Sequence, residues 1–284
     1  MKKEKMRIII SGAFGQMGQM LIKEIKKHEQ IQLVHALINN IHKNSHQLKN
    51  SADFLNKKNF LLTLEDLKKN TNILPFNTFI DFSIPFVTMK IIKYCIAYKK
   101  KMIIGTTGFN KKQMKAIKDA SYSIPILFSP NFSIGINILH QLLKYVSYMF
   151  DKTCDIEIIE SHHRNKIDSP SGTALQLGKI ICKNMKWDFN KSAIFSRKGN
   201  TGIRERKKIG FSTIRAGSTI GKHTVLFENR YEKISITHNA SNRSIFAKGA
   251  LEAAIWIQDK KNGLYSMKDV LSDTLKKRKK YFNK

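Results

Sequence analysis

The strongest constraint on this chain lies within its first thirty residues. An apolar run, Arg7-Ile8-Ile9-Ile10-Ser11, passes into Gly12-Ala13-Phe14-Gly15-Gln16-Met17-Gly18, and Met17, Leu21 and Ile25 then recur four apart among charged residues. The first pattern suits a buried strand and the last an amphipathic helix. Glycines at GxxGxxG spacing in such a junction answer a steric demand, because a side chain would block the turn, the approach of a pyrophosphate and the passage of helix over sheet. The unpaired amides of the helix start would then face the phosphates. Gly12, Ala13, Phe14, Gly15, Gln16, Met17 and Gly18 are therefore the expected cofactor loop of a dinucleotide-binding domain.

Alternation of strand and helix continues beyond this loop. Apolar runs at 31–37, 60–64, 79–83, 102–104 and 124–128 read as strands; 64–69, 85–98 (with Pro85 in its first turn) and 111–120 read as helices, and 39–50 as a polar loop. Such alternation predicts a parallel sheet covered on both faces, with the ligand crevice at the carboxyl ends of its strands. After Asn131 the pattern changes. A long helix at 134–149, an alternating strand at 155–160 and a helix from Ser171 to about 185 precede β-rich segments at 210–214, 223–228 and 233–237. These predict a second domain on an open mixed or antiparallel sheet with helices on one face, followed by helices at 244–257 and 270–275.

The 284 residues, 42% hydrophobic, suffice for two cored domains. Basic residues number 51 against 21 acidic, a formal charge of +30, which favours anionic ligands and raises the question of nucleic acid. The basic residues are dispersed, however, and most aromatics lie in apolar runs, so no nucleic-acid face assembles. The densest run, Lys276-Lys277-Arg278-Lys279-Lys280, reads as a solvated terminus. Cys95, Cys154 and Cys182 are widely spaced without a CxxC pair, as in a reduced intracellular protein. No apolar run has the length of a signal core or membrane span, so the expected address is the cytoplasm, with no membrane partner.

Chemistry concentrates in Glu160-Ser161-His162-His163-Arg164-Asn165-Lys166-Ile167-Asp168-Ser169-Pro170-Ser171-Gly172-Thr173-Ala174, just beyond the strand at 155–160. Ser171 suits a helix cap, with Gly172 and Thr173 in the first turn. Backbone amides and the Thr173 hydroxyl can hold a carboxylate or phosphate, Lys166 can neutralise it, and a histidine can transfer a proton near neutral pH. Adjacent histidines on an extended segment point to opposite faces, and no third ligand has a fixed spacing, so no metal is expected. The end of the second strand, Ala36-Leu37-Ile38-Asn39-Asn40, lacks the acidic residue that would hold ribose hydroxyls. A 2′-phosphate would meet no repulsion there, and Asn39 or Lys43 could approach it, so both NADH and NADPH stay open.

These residues resemble the 4-hydroxy-tetrahydrodipicolinate reductase (dihydrodipicolinate reductase) family. Besides 160–174 and the glycine loop, the likeness is carried by Asp81-Phe82-Ser83, Gly105-Thr106-Thr107-Gly108-Phe109, Asn131-Phe132-Ser133, Arg215-Ala216-Gly217 with Gly221 and His223, Thr237-His238-Asn239-Ala240-Ser241-Asn242-Arg243, and Gly263-Leu264-Tyr265. It implies an α/β fold: a Rossmann-like dinucleotide-binding domain over 1–129, an inserted α+β domain on a mixed sheet for substrate binding and oligomerisation over 130–240, and C-terminal helices over 241–284 that return to the first domain and end in a basic tail at 276–284. The implied reaction is reduction of 4-hydroxy-tetrahydrodipicolinate to tetrahydrodipicolinate by NADPH or NADH in lysine and diaminopimelate synthesis. A homotetramer acting on a small dicarboxylate is implied too, with a hinge near Pro130 and Asn242.

Carried over by residue, the resemblance makes His162 and Lys166 catalytic and puts His163, Gly172, Thr173 and Arg243 on the substrate. The glycine loop, Asn39, Gly105, Thr106, Thr107, Gly108, Ser129, Asn131 and Phe132 fall to the cofactor. Two departures bear on coenzyme choice. Gln16 stands where most members carry arginine, and Ile38-Asn39 replaces an acidic and basic pair; each missing charged hydrogen bond is worth about 1.5–3 kcal/mol before compensation. A different nicotinamide dehydrogenase would usually want a nucleophilic cysteine, and none of the three sits in a glycine-rich or histidine-paired turn.

Overall fold

Strands buried on both faces need helices above and below them, and the first part of the chain supplies both in turn. The computed structural model describes residues 4–38, 60–70, 73–150 and 154–282. In order come β1 (Met6–Ser11), α1 (Gln16–Lys26), β2 (Ile31–Leu37), β3 (Leu61–Leu62), α2 (Leu64–Lys69), β4 (Thr78–Asp81), α3 (Pro85–Ala97), β5 (Lys101–Ile104), α4 (Lys111–Ser121) and β6 (Pro125–Phe128). Local chemistry starts the helices: Thr63 with Asp66 and Asn110 with Gln113 form capping boxes, and Pro85 opens α3. The strands pair in parallel in the order β3-β2-β1-β4-β5-β6. Chain order reverses between β1 and β4, and a ligand crevice belongs at that switch point.

α5 (Ile134–Met149) leads into β7 (Asp155–His162), α6 (Gly172–Met185), α7 (Phe189–Ser192), β8 (Ala193–Ile194), β9 (Ile209–Arg215), β10 (Gly221–Glu228) and β11 (Lys233–Ala240). These strands lie in the order β11-β10-β7-β9-β8, with β10 antiparallel to both neighbours and β9 parallel to β7 and β8. The sheet is mixed, and Leu139, Leu143, Ile158, Leu177, Ile181 and Phe227 pack in its core. Then follow α8 (Ser244–Trp256), a 3-10 turn, β12 (Gly263–Tyr265) and α9 (Met267–Phe282). The chain thus forms two compact units, one of Met1–Ile134 with Ser244–Lys284 and one of Gly135–Arg243. α8 packs close within the first unit: a Cβ at Gly249 would lie 1.9 Å from the carbonyl oxygen of Phe132.

Three local expectations need correction. The strand read over 155–160 runs on to His162, because β9 and β10 pair with it on both sides as far as Ser161. The short helix read over 270–275 is the longer α9. The Asp269 carboxylate accepts both the amide and the hydroxyl of Ser266 at its start, Met267 and Val270 anchor it in the core, and the lysines that follow favour helix, so the basic run 276–280 is helical. β12, for which the pattern gives no strand, adds to β6 in parallel and makes seven strands in this sheet among the described residues. Three residues carry too little pattern to announce an edge strand. Asn39 and Lys43 lie outside the described residues, and among those described no helix is long and apolar enough to cross a membrane.

Candidate active site

In the first unit, the glycine loop is shaped by backbone contacts. Gly12 has φ +77°, and a Cβ there would lie 2.2 Å from the Phe82 carbonyl oxygen; at Gly18 it would lie 2.1 Å from the Gly12 carbonyl oxygen. Gly12 thus lets the turn form, while Gly18 lets α1 lie against it. Gly12, Ala13, Phe14 and Gly15 line a cleft of about 370 Å³ whose other walls include Leu37, Ile38, Leu64, Ser83 and Phe86. Backbone amides at one side and apolar walls at the other fit the phosphates and the flat base of a dinucleotide. No acidic side chain lines this cleft among the described residues.

The carboxyl ends of β4 and β5 are tied together by Asp81. Its fully buried carboxylate accepts hydroxyl bonds from Ser83 at 2.5 Å, Thr88 at 2.5 Å and Thr106 at 2.9 Å. Burial pushes its pKa up, and these hydroxyls with that of Ser11 work in the opposite direction. Thr106 Oγ1 also accepts the Ser83 amide at 2.9 Å, so that hydroxyl faces inward, while Thr107 and Gly108 are exposed. A Cβ at Gly105 would meet the Phe82 ring, and the buried Phe132 ring lies 5.5 Å from it. Ser129 Oγ donates to the Asn131 carbonyl at 2.7 Å.

In the second unit, alternation along β7 puts Ile156, Ile158, Glu160 and His162 on one buried face. Glu160 and His162, two residues apart, therefore meet, through Oε2 and Nδ1. Glu160 also receives Arg215 as a two-pronged partner, Nη1 to Oε2 at 2.9 Å and Nη2 to Oε1 at 2.7 Å, and the Ser171 amide at 2.9 Å. Burial would raise the Glu160 pKa, but Arg215, the Ser171 amide and His162 hold it below the usual carboxylate range. Burial lowers the pKa of His162, and Glu160 works against that. Because Nδ1 faces the carboxylate, it carries the hydrogen of the neutral ring and leaves Nε2 to exchange protons.

Ser171 caps α6 through Ala174 N at 3.2 Å and meets His223 Nε2 at 3.0 Å, and the His223 ring stands edge-on to His162 at 5.0 Å. Lys166 Nζ donates to Asp168 Oδ1 at 2.6 Å, and the Gly172 amide lies 3.3 Å from Oδ2. His163 Nε2 and Arg243 are 3.2 Å apart. His162 and the Lys166–Thr173 segment thus belong to one strand, loop and helix start, with Arg243 alongside His163. Ligating atoms of Glu160, His162 and His223 lie within 4.8 Å of one another, yet a cation would face the Arg215 guanidinium already seated on both Glu160 oxygens.

Buried imidazoles give this unit a pH dependence. Burial lowers the pKa of His223 and of His140 to about 4 each. The unfolded imidazole takes a proton near pH 6.5 that the folded one refuses, so stability is full above that pH and falls by about 1.4 kcal/mol per pH unit for each ring on the way down to about 4. Urea unfolding at pH 7, 6 and 5 measures this; a midpoint constant across the series would refute it.

Sequence motifs include Glu160, Arg215 and Asp81 but assign them no role. Alternation inward with Ile156 and Ile158 was the signal for Glu160, since an acidic side chain on a buried face needs partners. Arg215 had no local signal, because it comes from a strand 55 residues away.

Two family models match the chain, "Dihydrodipicolinate reductase, N-terminus" over residues 6–132 and "Dihydrodipicolinate reductase, C-terminus" over 135–271. A 4-hydroxy-tetrahydrodipicolinate reductase of Buchnera aphidicola subsp. Cinara cedri (strain Cc) is 63% identical over 95% of this chain and 98% of its own length. One from Buchnera aphidicola subsp. Schizaphis graminum (strain Sg) is 48% identical over 96% and 99%. Among solved structures, a dipicolinate-bound dihydrodipicolinate reductase from Paenisporosarcina sp. TG-14 is similar in fold, with a TM-score of 0.73 at 21% identity over 92% of this chain and 97% of that one.

Proposed function

The chain belongs to the dihydrodipicolinate reductase family, and we infer from that membership that it reduces 4-hydroxy-tetrahydrodipicolinate to tetrahydrodipicolinate with NADH or NADPH, in lysine and diaminopimelate synthesis. When bound, the reduced nicotinamide supplies the hydride. The glycine loop, from Gly12 through Ala13, Phe14, Gly15, Gln16 and Met17 to Gly18, would hold the cofactor with its amides. Gly105, Thr106, Thr107 and Gly108 would form the loop against the nicotinamide end, Ser129, Asn131 and Phe132 would also contact the cofactor, and Asn39 remains the candidate at the ribose. The first unit then serves the cofactor and the second the substrate and assembly.

The substrate is a small cyclic dicarboxylate, and the relative from Paenisporosarcina is described as binding dipicolinate, a flat molecule of that class. Two carboxylates call for cationic and amide donors, which Lys166, Gly172, Thr173, His163 and Arg243 can supply. The hydroxylated ring loses water to an unsaturated imine, and hydride reaches ring carbon four. Negative charge then builds on the substrate, which His162 neutralises by giving up a proton from Nε2 while Lys166 shares the stabilisation. Glu160 holds the ring in the required tautomer by its contact with Nδ1.

The supporting observation is the carboxylate-anchored imidazole on the same short segment as Lys166 and the start of α6. Substitution Lys166→Met is expected to weaken binding of pyridine-2,6-dicarboxylate by about 10- to 100-fold, for loss of a charged hydrogen bond, with NADPH affinity unchanged. Titration calorimetry tests both; equal dicarboxylate affinities would remove Lys166 from the site. For assembly we propose the family's homotetramer, supported by Ile159, Ile214 and Leu226, apolar side chains that alternate outward from the mixed sheet and are not fully buried. We assign the enzyme to the cytoplasm.

A further inference from the structure

We propose that Asp168 is an internal stand-in for a substrate carboxylate, so that substrate binds by exchange, taking from Asp168 the donors it holds. The inference rests on the assignment of Lys166 and the first turn of α6 to the dicarboxylate. Two donors that flank Asp168 in the same loop converge on its side chain: Lys166 Nζ at 2.6 Å from Oδ1, and the Gly172 amide at 3.3 Å from Oδ2. An ammonium and a helix-start amide gripping the two oxygens of a carboxylate is the arrangement that an incoming carboxylate needs.

The main chain of Asp168 is held while its side chain is accessible. Its carbonyl accepts a bond from Arg215 Nη2 at 2.7 Å, and Arg215 is itself clamped to the buried Glu160. The Asp168 side chain, by contrast, is 57% exposed and its Lys166 partner 22%. Rotation about the side-chain bonds can therefore release the carboxylate without disturbing the loop. Partial burial would raise its pKa, but Lys166 and the Gly172 amide hold it below the usual carboxylate value, so it stays ionised at neutral pH. An exposed ion pair of this kind is a weak competitor, and exchange with a dianion that also engages His163 and Arg243 is favourable. Until then the pair keeps the Lys166 ammonium beside the turn, ready for the exchange.

Two measurements decide it. In a crystal of the protein with pyridine-2,6-dicarboxylate, the Lys166 ammonium and the Gly172 amide should bond to the ligand, with Asp168 turned away from both. In solution, Asp168→Asn should bind that ligand about two- to fivefold more tightly, the factor expected from removing a half-exposed ion pair. Asp168→Ser provides the same comparison if the amide distorts the turn. Retention of the Lys166–Asp168 contact in a complex whose ligand sits on the α6 turn overturns the exchange, as does equal or weaker binding by both variants. A ligand that touches neither Lys166 nor that turn would instead refute the substrate assignment, and the exchange with it.

Discussion

The substitution His162→Gln is expected to lower turnover by about two to four orders of magnitude, the usual worth of a positioned acid or base, while leaving NADPH affinity unchanged. Glutamine can still donate an amide hydrogen to Glu160, so the strand end keeps its contact, but its amide has no acidic proton to pass to the substrate. The pH profile separates this from a packing defect. Burial lowers the His162 pKa, with Glu160 acting upward and Lys166 and Arg215 downward, and His223 is the other titrating ring against it. As proton donor His162 must be charged, so wild-type turnover falls as pH rises through its pKa in the complex, and the variant loses that limb. Turnover followed by nicotinamide absorbance, on freshly generated substrate, gives both readings. A rate within tenfold of wild type, with the limb intact, would show that the proton comes from another group.

Removal of the carboxylate behind that imidazole should produce the largest loss of stability. Glu160 is 1% exposed and satisfies Arg215, the Ser171 amide and His162 at once. Glu160→Ala leaves a guanidinium only 18% exposed without its counter-charge, and breaking a buried pair from one side costs about 3–5 kcal/mol. Since its folded pKa is depressed, the carboxylate contributes fully above about pH 4.5, and the contribution disappears as pH falls through the folded value. Urea unfolding at pH 7 measures the difference; a loss below about 1 kcal/mol would mean that Arg215 finds water or another acceptor at once. The more conservative Glu160→Gln keeps the shape and should unfold at intermediate urea concentration.

Much of this was legible in local patterns. Strand, glycine turn and helix at the amino terminus follow one another in sequence, and each announces itself by apolar period or by an absent side chain. The same holds for Ser171, whose capping role needs only the next three residues. Short edge strands such as β12 carry no such signal, because three residues cannot establish a period and their place depends on a partner more than a hundred residues away. Asp81 was visible only as part of a motif. Its hydroxyl partners Ser83 and Thr88 are close in sequence, but Thr106 arrives from the loop that follows β5.

By itself, the order of residues determined the parallel α/β unit, the change of architecture after Asn131, and the presence of His162, Lys166, Gly172 and Thr173 in one short segment. Those are properties of neighbours along the chain, set by side-chain period, capping and backbone freedom. It takes the folded chain to bring Arg215 and His223 around Glu160 and His162 and to seat the Lys166 ammonium on Asp168. Arg215 and His223 reach Glu160 and His162 from strands far apart in sequence, whereas Lys166 and Asp168 are near neighbours whose contact depends on the fold of their loop, and burial sets which charges stay ionised.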